Sequence, residues 1–465
     1  MELVVAAIII LASNPPDMSV TVKAGLAHLT SGQHVEFQET KLAFDPPEVV
    51  DRTVTAKAPR DYASWFDPWQ PWPKKGKDGL ANVIELKPQY DEERTQILGG
   101  LFRQIDPATV VVTSADGSKT FKRGQDYLLN EEWAQIANLK GGLGKMGEAE
   151  VRVTGKMALQ RLDLVQVDAR GQVSIKKGKS AIVCPALPEP DAGCAALAGI
   201  YIAPWKAAAN PHFDAAGGLK AATDYAITQH EIFVIKPAPP VGPVNKKAIA
   251  KSLKKLADGQ ELKIAFIGAS VTLGAEVPRW DEDYWTEKNL GFPSRVVVEL
   301  RKRFPKATVT PIEAFKGGTQ TKYGLEMIEK VVIPAKADLA LIDFGGNDVS
   351  GPIGQGPNNP PEQFKEDMRA MIKRAREAGI EVIIVVGERS NPWLKPDVLA
   401  RWPAYRQAML DLAKEENVAA ADVYAEFANQ ASRGVPPFSQ LHNWINHPGK
   451  AGHKLYADVI LRFFD

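Results

Sequence analysis

The segment at residues 237–243, PAPPVGP, divides this chain. Its four prolines lock φ and withhold amide donors, so it suits a stiff, extended connector. The hydrophobic patterning changes across it. Before it, short alternating or β-branched runs recur at residues 20–22, 109–113, 149–154, 162–167, 173–175 and 200–203. Turn signals such as Ala115-Asp116-Gly117 and Ala169-Arg170-Gly171 separate them. Few helix-period segments interrupt, which predicts a β-rich, sandwich-like or barrel-like accessory region over 18–236, as one module or two.

After the connector, continuous apolar runs at residues 262–267, 309–312, 339–344, 382–386 and 418–421 alternate with helical patterns. Phe364, Met368, Met371, Ile372 and Ala375 share one helical face, with Gly379 as a stop. Leu455, Val459 and Phe463 line a last helix. Strands buried on both faces read as unbroken apolar runs, so residues 247–465 predict a three-layer α/β domain around a parallel sheet. The division is therefore 1–17 (a signal or targeting remnant), 18–236 (β-rich), 237–246 (linker) and 247–465 (α/β).

The 465 residues are enough for two or three domains. The balance of 57 Lys+Arg against 56 Asp+Glu excludes a global electrostatic grip on nucleic acid. Two cysteines exclude a disulfide framework and a four-thiolate zinc site. Cys184 and Cys194 fit either one disulfide or two buried thiols. Residues 3–12, LVVAAIIILA, are shorter than the ~20 apolar residues of a membrane span, so no membrane span is expected. They fit a signal-peptide core followed by Ala12 and Ser13, although no Lys or Arg precedes them; a buried first strand is the other reading. The first reading implies a secreted or periplasmic protein, the second leaves the cytoplasm open.

In parallel sheets ligands bind beyond the carboxyl ends of the strands. There the sequence places Gly268-Ala269-Ser270, then Gly317-Gly318-Thr319, then Gly345-Gly346-Asn347-Asp348. Asn446-His447-Pro448 precedes the last helix. Each item alone has a bland reading as a cap, a turn or a surface histidine. Together they supply a nucleophile, a base and donors for a tetrahedral oxyanion, in order along one domain.

These blocks resemble the SGNH hydrolase (GDSL-like esterase) superfamily, named for Ser, Gly, Asn and His. They fall at Ser270 in FIGASVT, Gly318 in FKGGTQTKYG, Asn347 in DFGGNDVSG and His447 in NHPGKAGHKLYA, over about 262–465. The resemblance implies that Ser270 attacks an ester carbonyl and His447 takes its proton. It also implies an oxyanion hole formed by the Ser270 and Gly318 amides and the Asn347 side chain, with no cofactor. Two departures stand out. Ala269 replaces the usual Asp, and Trp444 occupies the position of the acid three residues before the histidine. Asn443, Asp348 or Asp422 could orient His447 instead, or a backbone carbonyl could; otherwise the site is impaired.

Gly142-x-Gly144-x-x-Gly147 matches a dinucleotide fingerprint as a string but leads into a strand pattern, and Lys145-Met146 breaks a phosphate loop. His442, His447 and His453 are spaced five and six apart around Pro448-Gly449, so no metal site is expected. Trp280, Tyr284, Trp285, Trp393, Trp402 and Trp444 fall in the loops on the catalytic side, where flat aromatic faces suit sugar rings. Tyr62, Trp65, Phe66, Trp69 and Trp72 form a second cluster, read as a plug between domains or a glycan platform. The expected activity is removal of a short acyl group, acetyl above all, from a carbohydrate or other small ester. The alternatives are a lipase or thioesterase and a catalytically impaired glycan-binding module. The oligomeric state is not legible.

Overall fold

The computed structural model describes residues 9–10, 18–61, 75–99, 102–204, 230–237, 244–278, 284–351, 356–388, 390–391 and 396–465. Trp280, Trp393, the cluster from Tyr62 to Trp72 and most of the PAPPVGP connector lie outside this set. So does residues 3–12 except Ile9–Ile10, which pairs antiparallel with Ser19–Val22.

The paired strands described in the N-terminal half are antiparallel, and they enclose two cores. One core lies between the sheet of Val173–Lys176, Arg161–Val167, Ala195–Ile202 and His230–Val234 and the small sheets before residue 44. It holds Val20, Val22, Phe37, Val165, Val167 and Ile200. The other is framed by Val49–Lys57, Glu150–Ala158 and Val111–Ser114 together with a three-stranded sheet around Gln135–Asn138. In Glu150–Ala158 the buried residues Val151, Val153 and Met157 alternate with outward Glu150, Arg152 and Lys156, the period-2 signature of a strand buried on one face. The string Gly142 to Gly147 makes turns before this strand, as the sequence implied.

The C-terminal half is a five-stranded parallel sheet of Glu261–Gly268 (β1), Thr308–Phe315 (β2), Leu339–Asp343 (β3), Glu381–Val386 (β4) and Ala419–Asp422 (β5), in the order β2-β1-β3-β4-β5. Its helices are Ala250–Ala257 (α1), Phe292–Arg303 (α2), Thr321–Met327 (α3), Gly346–Val349 (α4), Pro361–Glu377 (α5), Pro396–Glu415 (α6), Val423–Asn429 (α7) and Lys450–Leu461 (α8). Alternation along β1 separates the layers. Leu262, Ile264 and Phe266 join the core under α1, α2 and α8, whereas Ala265 and Ile267 join the core under α3, α5 and α6. The face predicted for α5 is the one buried, and Gly379 ends it at φ +80°. Each large apolar side chain so buried is worth about 1.5–3 kcal/mol.

The halves share a core. Phe102, Trp133, Leu162, Val183, Tyr201 and Ala203 from the N-terminal half pack with Phe438, Trp444 and Ile445 from the C-terminal half. Lys236 donates its amide to the Ser432 carbonyl at 2.8 Å across the same boundary. Cys184 and Cys194 are free thiols, not a disulfide. Among the described residues, no helix is long and apolar enough to cross a membrane.

Candidate active site

With strand order β2-β1-β3, the connections leaving β1 and β3 pass to opposite faces of the sheet. A crevice therefore opens at the carboxyl ends of these two strands. Ser270 follows β1 and Asn347 follows β3, one on each side of it. Gly268 ends β1 because a side chain there would collide with the Thr272 hydroxyl and crowd the Asp343 carbonyl, 2.7 Å from its Cβ. The chain then turns tightly, with Leu273, Gly274 and Ala275 amides returning to the Ala269, Val271 and Ser270 carbonyls. This turn holds the Ser270 hydroxyl at the sheet edge.

Ser270 Oγ lies 2.8 Å from His447 Nε2, although the two residues are 177 apart in the chain. His447 is presented by a short loop whose ends are clasped, the His442 amide donating to the His447 carbonyl at 2.7 Å. Inside that loop Asn443 Oδ1 accepts the amides of Ile445, Asn446 and His447 at 2.9, 3.0 and 2.9 Å. Asn443 therefore shapes the backbone and does not orient the imidazole.

The other two expected orienters are also engaged elsewhere. Asp348 is buried and accepts from the Thr321 amide and hydroxyl, the Gly345 amide and Asn359. Asp422 caps α7 through the Ala425 amide and pairs with Arg406. The group that does face His447 Nδ1 is Glu276, with Oε1 at 3.5 Å. Its carboxylate is fully buried, and its Oε2 accepts the Leu98 amide at 3.1 Å. Glu276 adopts φ +68°, a left-handed conformation costing a non-glycine residue about 1–2 kcal/mol. Sequence reasoning named Asp348 and Asp422 as the distant carboxylates and missed Glu276, because nothing in the turn after Ser270 marks a glutamate as the partner of a histidine 171 residues later.

The crevice is lined by Ser270, Thr319, Asn347, Trp402 and Asn446 among others. Asn347 spends one amide N–H on the Thr319 carbonyl at 2.8 Å, which ties the loop after β2 to the end of β3. Gly317 sits beside the nucleophile, its Cβ position 3.9 Å from that of Ser270, and Gly318 turns away next at φ +78°. Beneath Ser270, Thr272 donates to Asp343 at 2.7 Å, and Tyr456 donates to Glu388. Burial pushes the Asp343 carboxyl up to about 7 and the Glu388 carboxyl up to about 8.

The aromatic residues expected to face sugar divide. Trp402 borders the crevice but is itself buried in the core under α6, held by a bond from Nε1 to the Glu388 carbonyl at 2.7 Å. Tyr284 instead stacks on Phe315 and donates to the Leu273 carbonyl at 3.1 Å. Trp285 packs against Phe266 and donates to Glu313, and Trp444 is buried in the core between the halves. These three rings hold loops and interface together. The three nearby histidines also take separate tasks. His453 is buried against α2, receiving the Phe292 amide on Nδ1 at 3.2 Å, and His442 lies 3.6 Å from Asp91.

Residues 266–455 match the GDSL-like Lipase/Acylhydrolase family. Similar solved structures include Axe2, an acetylxylan esterase from Geobacillus stearothermophilus, at 20% identity and a TM-score of 0.38, covering 44% of this chain and 94% of that one. Another is LAE5, an alpha/beta hydrolase enzyme from the metagenome of Lake Arreo, Spain, at 21% identity and a TM-score of 0.38, with the same coverages of 44% and 94%. Among curated proteins none matches the sequence. The GDSL-like region coincides with the parallel-sheet half, and the β-rich half lies outside it.

Proposed function

We propose that this protein is a serine esterase that removes short acyl groups, acetyl above all, from a carbohydrate. The observation that carries the reading is the 2.8 Å contact between Ser270 Oγ and His447 Nε2 at the mouth of the crevice. In this reading His447 takes the Ser270 proton as the hydroxyl attacks the ester carbonyl, then returns it to the leaving alcohol. The Ser270 and Gly318 amides and the second N–H of Asn347 receive the oxyanion. Water hydrolyses the acyl-enzyme by the same route in reverse, releasing acid and restoring the serine.

The small crevice favours a short acyl group. Among the described residues the space beside Ser270 takes a few water-sized groups, which supports a short acyl group over a long one. The carbohydrate half of the proposal rests on the resemblance to the SGNH esterases and not on an open ring face, since Trp402 at the crevice wall is 2% exposed. The deciding experiment compares wild type with Ser270→Ala on acetylated oligosaccharides and on nitrophenyl esters of rising chain length. Acetate release by wild type that vanishes in the variant is expected. Activity that survives the substitution, or that rises with chain length, would overturn the assignment.

A further inference from the structure

The Trp444 side chain, at the position where the resemblance expects an acid, points away from His447 into the core shared by the two halves. The imidazole nevertheless has a requirement. To receive the Ser270 proton on Nε2 it must carry its own proton on Nδ1, and the positive ring formed on proton transfer needs a facing negative charge. We infer that Glu276 is the positioning carboxylate for His447 and that the β-rich half holds it in place. This inference rests on the esterase reading above.

Three observations converge on it. Glu276 Oε1 is 3.5 Å from His447 Nδ1, on the opposite side of the ring from the 2.8 Å contact to Ser270. Such contacts are often long before substrate binds and tighten in the complex. The carboxylate has no solvent exposure, and its second oxygen is fixed by the Leu98 amide, so its direction is set from both ends. The residue also sits in a left-handed conformation on the turn that starts at Ser270, so one turn carries both nucleophile and acid. Strain of this kind persists where surrounding contacts hold it.

The β-rich half reaches the histidine as well. Gly99 packs so closely on the His447 loop that a Cβ there would lie 2.6 Å from the Asn443 carbonyl oxygen and 2.9 Å from Asn443 Cβ. Asn443 gathers the three amides that shape this loop. Leu98 and Gly99, adjacent in the chain, therefore touch the acid and the loop of the base. The N-terminal half is in this view a structural part of the catalytic geometry in addition to any role in binding a polymer.

The test uses the full-length protein. Glu276→Gln keeps the shape but replaces the charge. It should lower kcat on an acetyl ester by about 10³–10⁴-fold with KM little changed. Glu276→Asp should recover part of that loss. In proton NMR, wild type should show a low-field Nδ1–H signal that disappears in both His447→Asn and Glu276→Gln. Gly99→Ala should lower kcat about 10–100-fold through displacement of the His447 loop. A Glu276→Gln enzyme within threefold of wild type, or an unchanged low-field signal, would overturn the role of Glu276. Full kcat in Gly99→Ala would overturn the part assigned to the β-rich half. A wild type without esterase activity would instead refute the esterase reading, and the NMR comparison would still decide whether Glu276 holds His447.

Discussion

The Trp444 and Phe102 rings meet across the boundary between the two halves, with centroids 6.4 Å apart. Trp444 is 1% exposed, and on another side it lies against Phe438. Trp444→Ala should cost about 3–5 kcal/mol of stability, the usual range for emptying a large aromatic site in a core. Urea or thermal unfolding of the purified protein measures it. A change below 1 kcal/mol would mean that the two halves do not depend on this contact.

Asn347 has two tasks for one amide, tethering Thr319 and facing the crevice. Asn347→Ala should lower kcat by about 100-fold or more while leaving KM within a few fold, the pattern of a donor that acts on the transition state. Steady-state kinetics on an acetyl ester show it. A rise in KM alone would place Asn347 in ground-state binding.

Asp343 and Glu388, raised to about 7 and about 8, make stability depend on pH. Both carboxyls hold protons in the folded state that they release in the unfolded chain near pH 4. Their stabilising contribution is complete below pH 4 and is lost as pH rises through 7 and 8, at up to about 1.4 kcal/mol per pH unit for each group. Between pH 5 and 8 the melting temperature of wild type should therefore fall. The slope should be shallower in Asp343→Asn, which keeps an acceptor for Thr272, and in Glu388→Gln. Equal slopes in all three proteins would refute the assignment.

Arg161 and Asp163 form a fully buried pair in the β-rich half, with nitrogen–oxygen distances of 2.7 and 2.8 Å. Arg161 also donates to the Asp45 and Pro46 carbonyls, so its loss strands several acceptors at once. Arg161→Met should destabilise by about 3–5 kcal/mol because Asp163 is left charged and buried without its partner. The double variant Arg161→Met/Asp163→Leu should regain part of that loss. Chemical denaturation of the three proteins tests both statements.

The parallel sheet was readable because strands covered on both faces leave continuous apolar runs, and each of the five runs became a strand. Ser270 and Asn347 follow the first and third strands of the sheet, as the sequence places them, and the loop before the last helix brings His447 to Ser270. Glu276 was not readable. A glutamate two residues after a glycine in a turn looks like a solvated loop residue, and only the fold brings it to a histidine 171 residues later. The fate of the aromatic rings was hidden for a related reason. A tryptophan in a loop has the same sequence signature whether it faces sugar or packs the loop, and Trp444 and Trp285 pack. The two N-terminal cores could not be separated in advance because antiparallel sheets of similar composition give no sequence signal for which face meets which.

Synthesis runs from the N-terminus, so the surface of Phe102, Trp133 and Tyr201 exists before its cover does. From Ala203 to Phe438 the ribosome must add 235 more residues. At about 5–20 residues per second, that surface waits roughly 10–50 s, bare and adhesive, for Phe438 and Trp444 to arrive. The nascent chain thus carries its greatest aggregation hazard in the interval before its last 30 residues emerge, and that interval ends when the histidine loop docks.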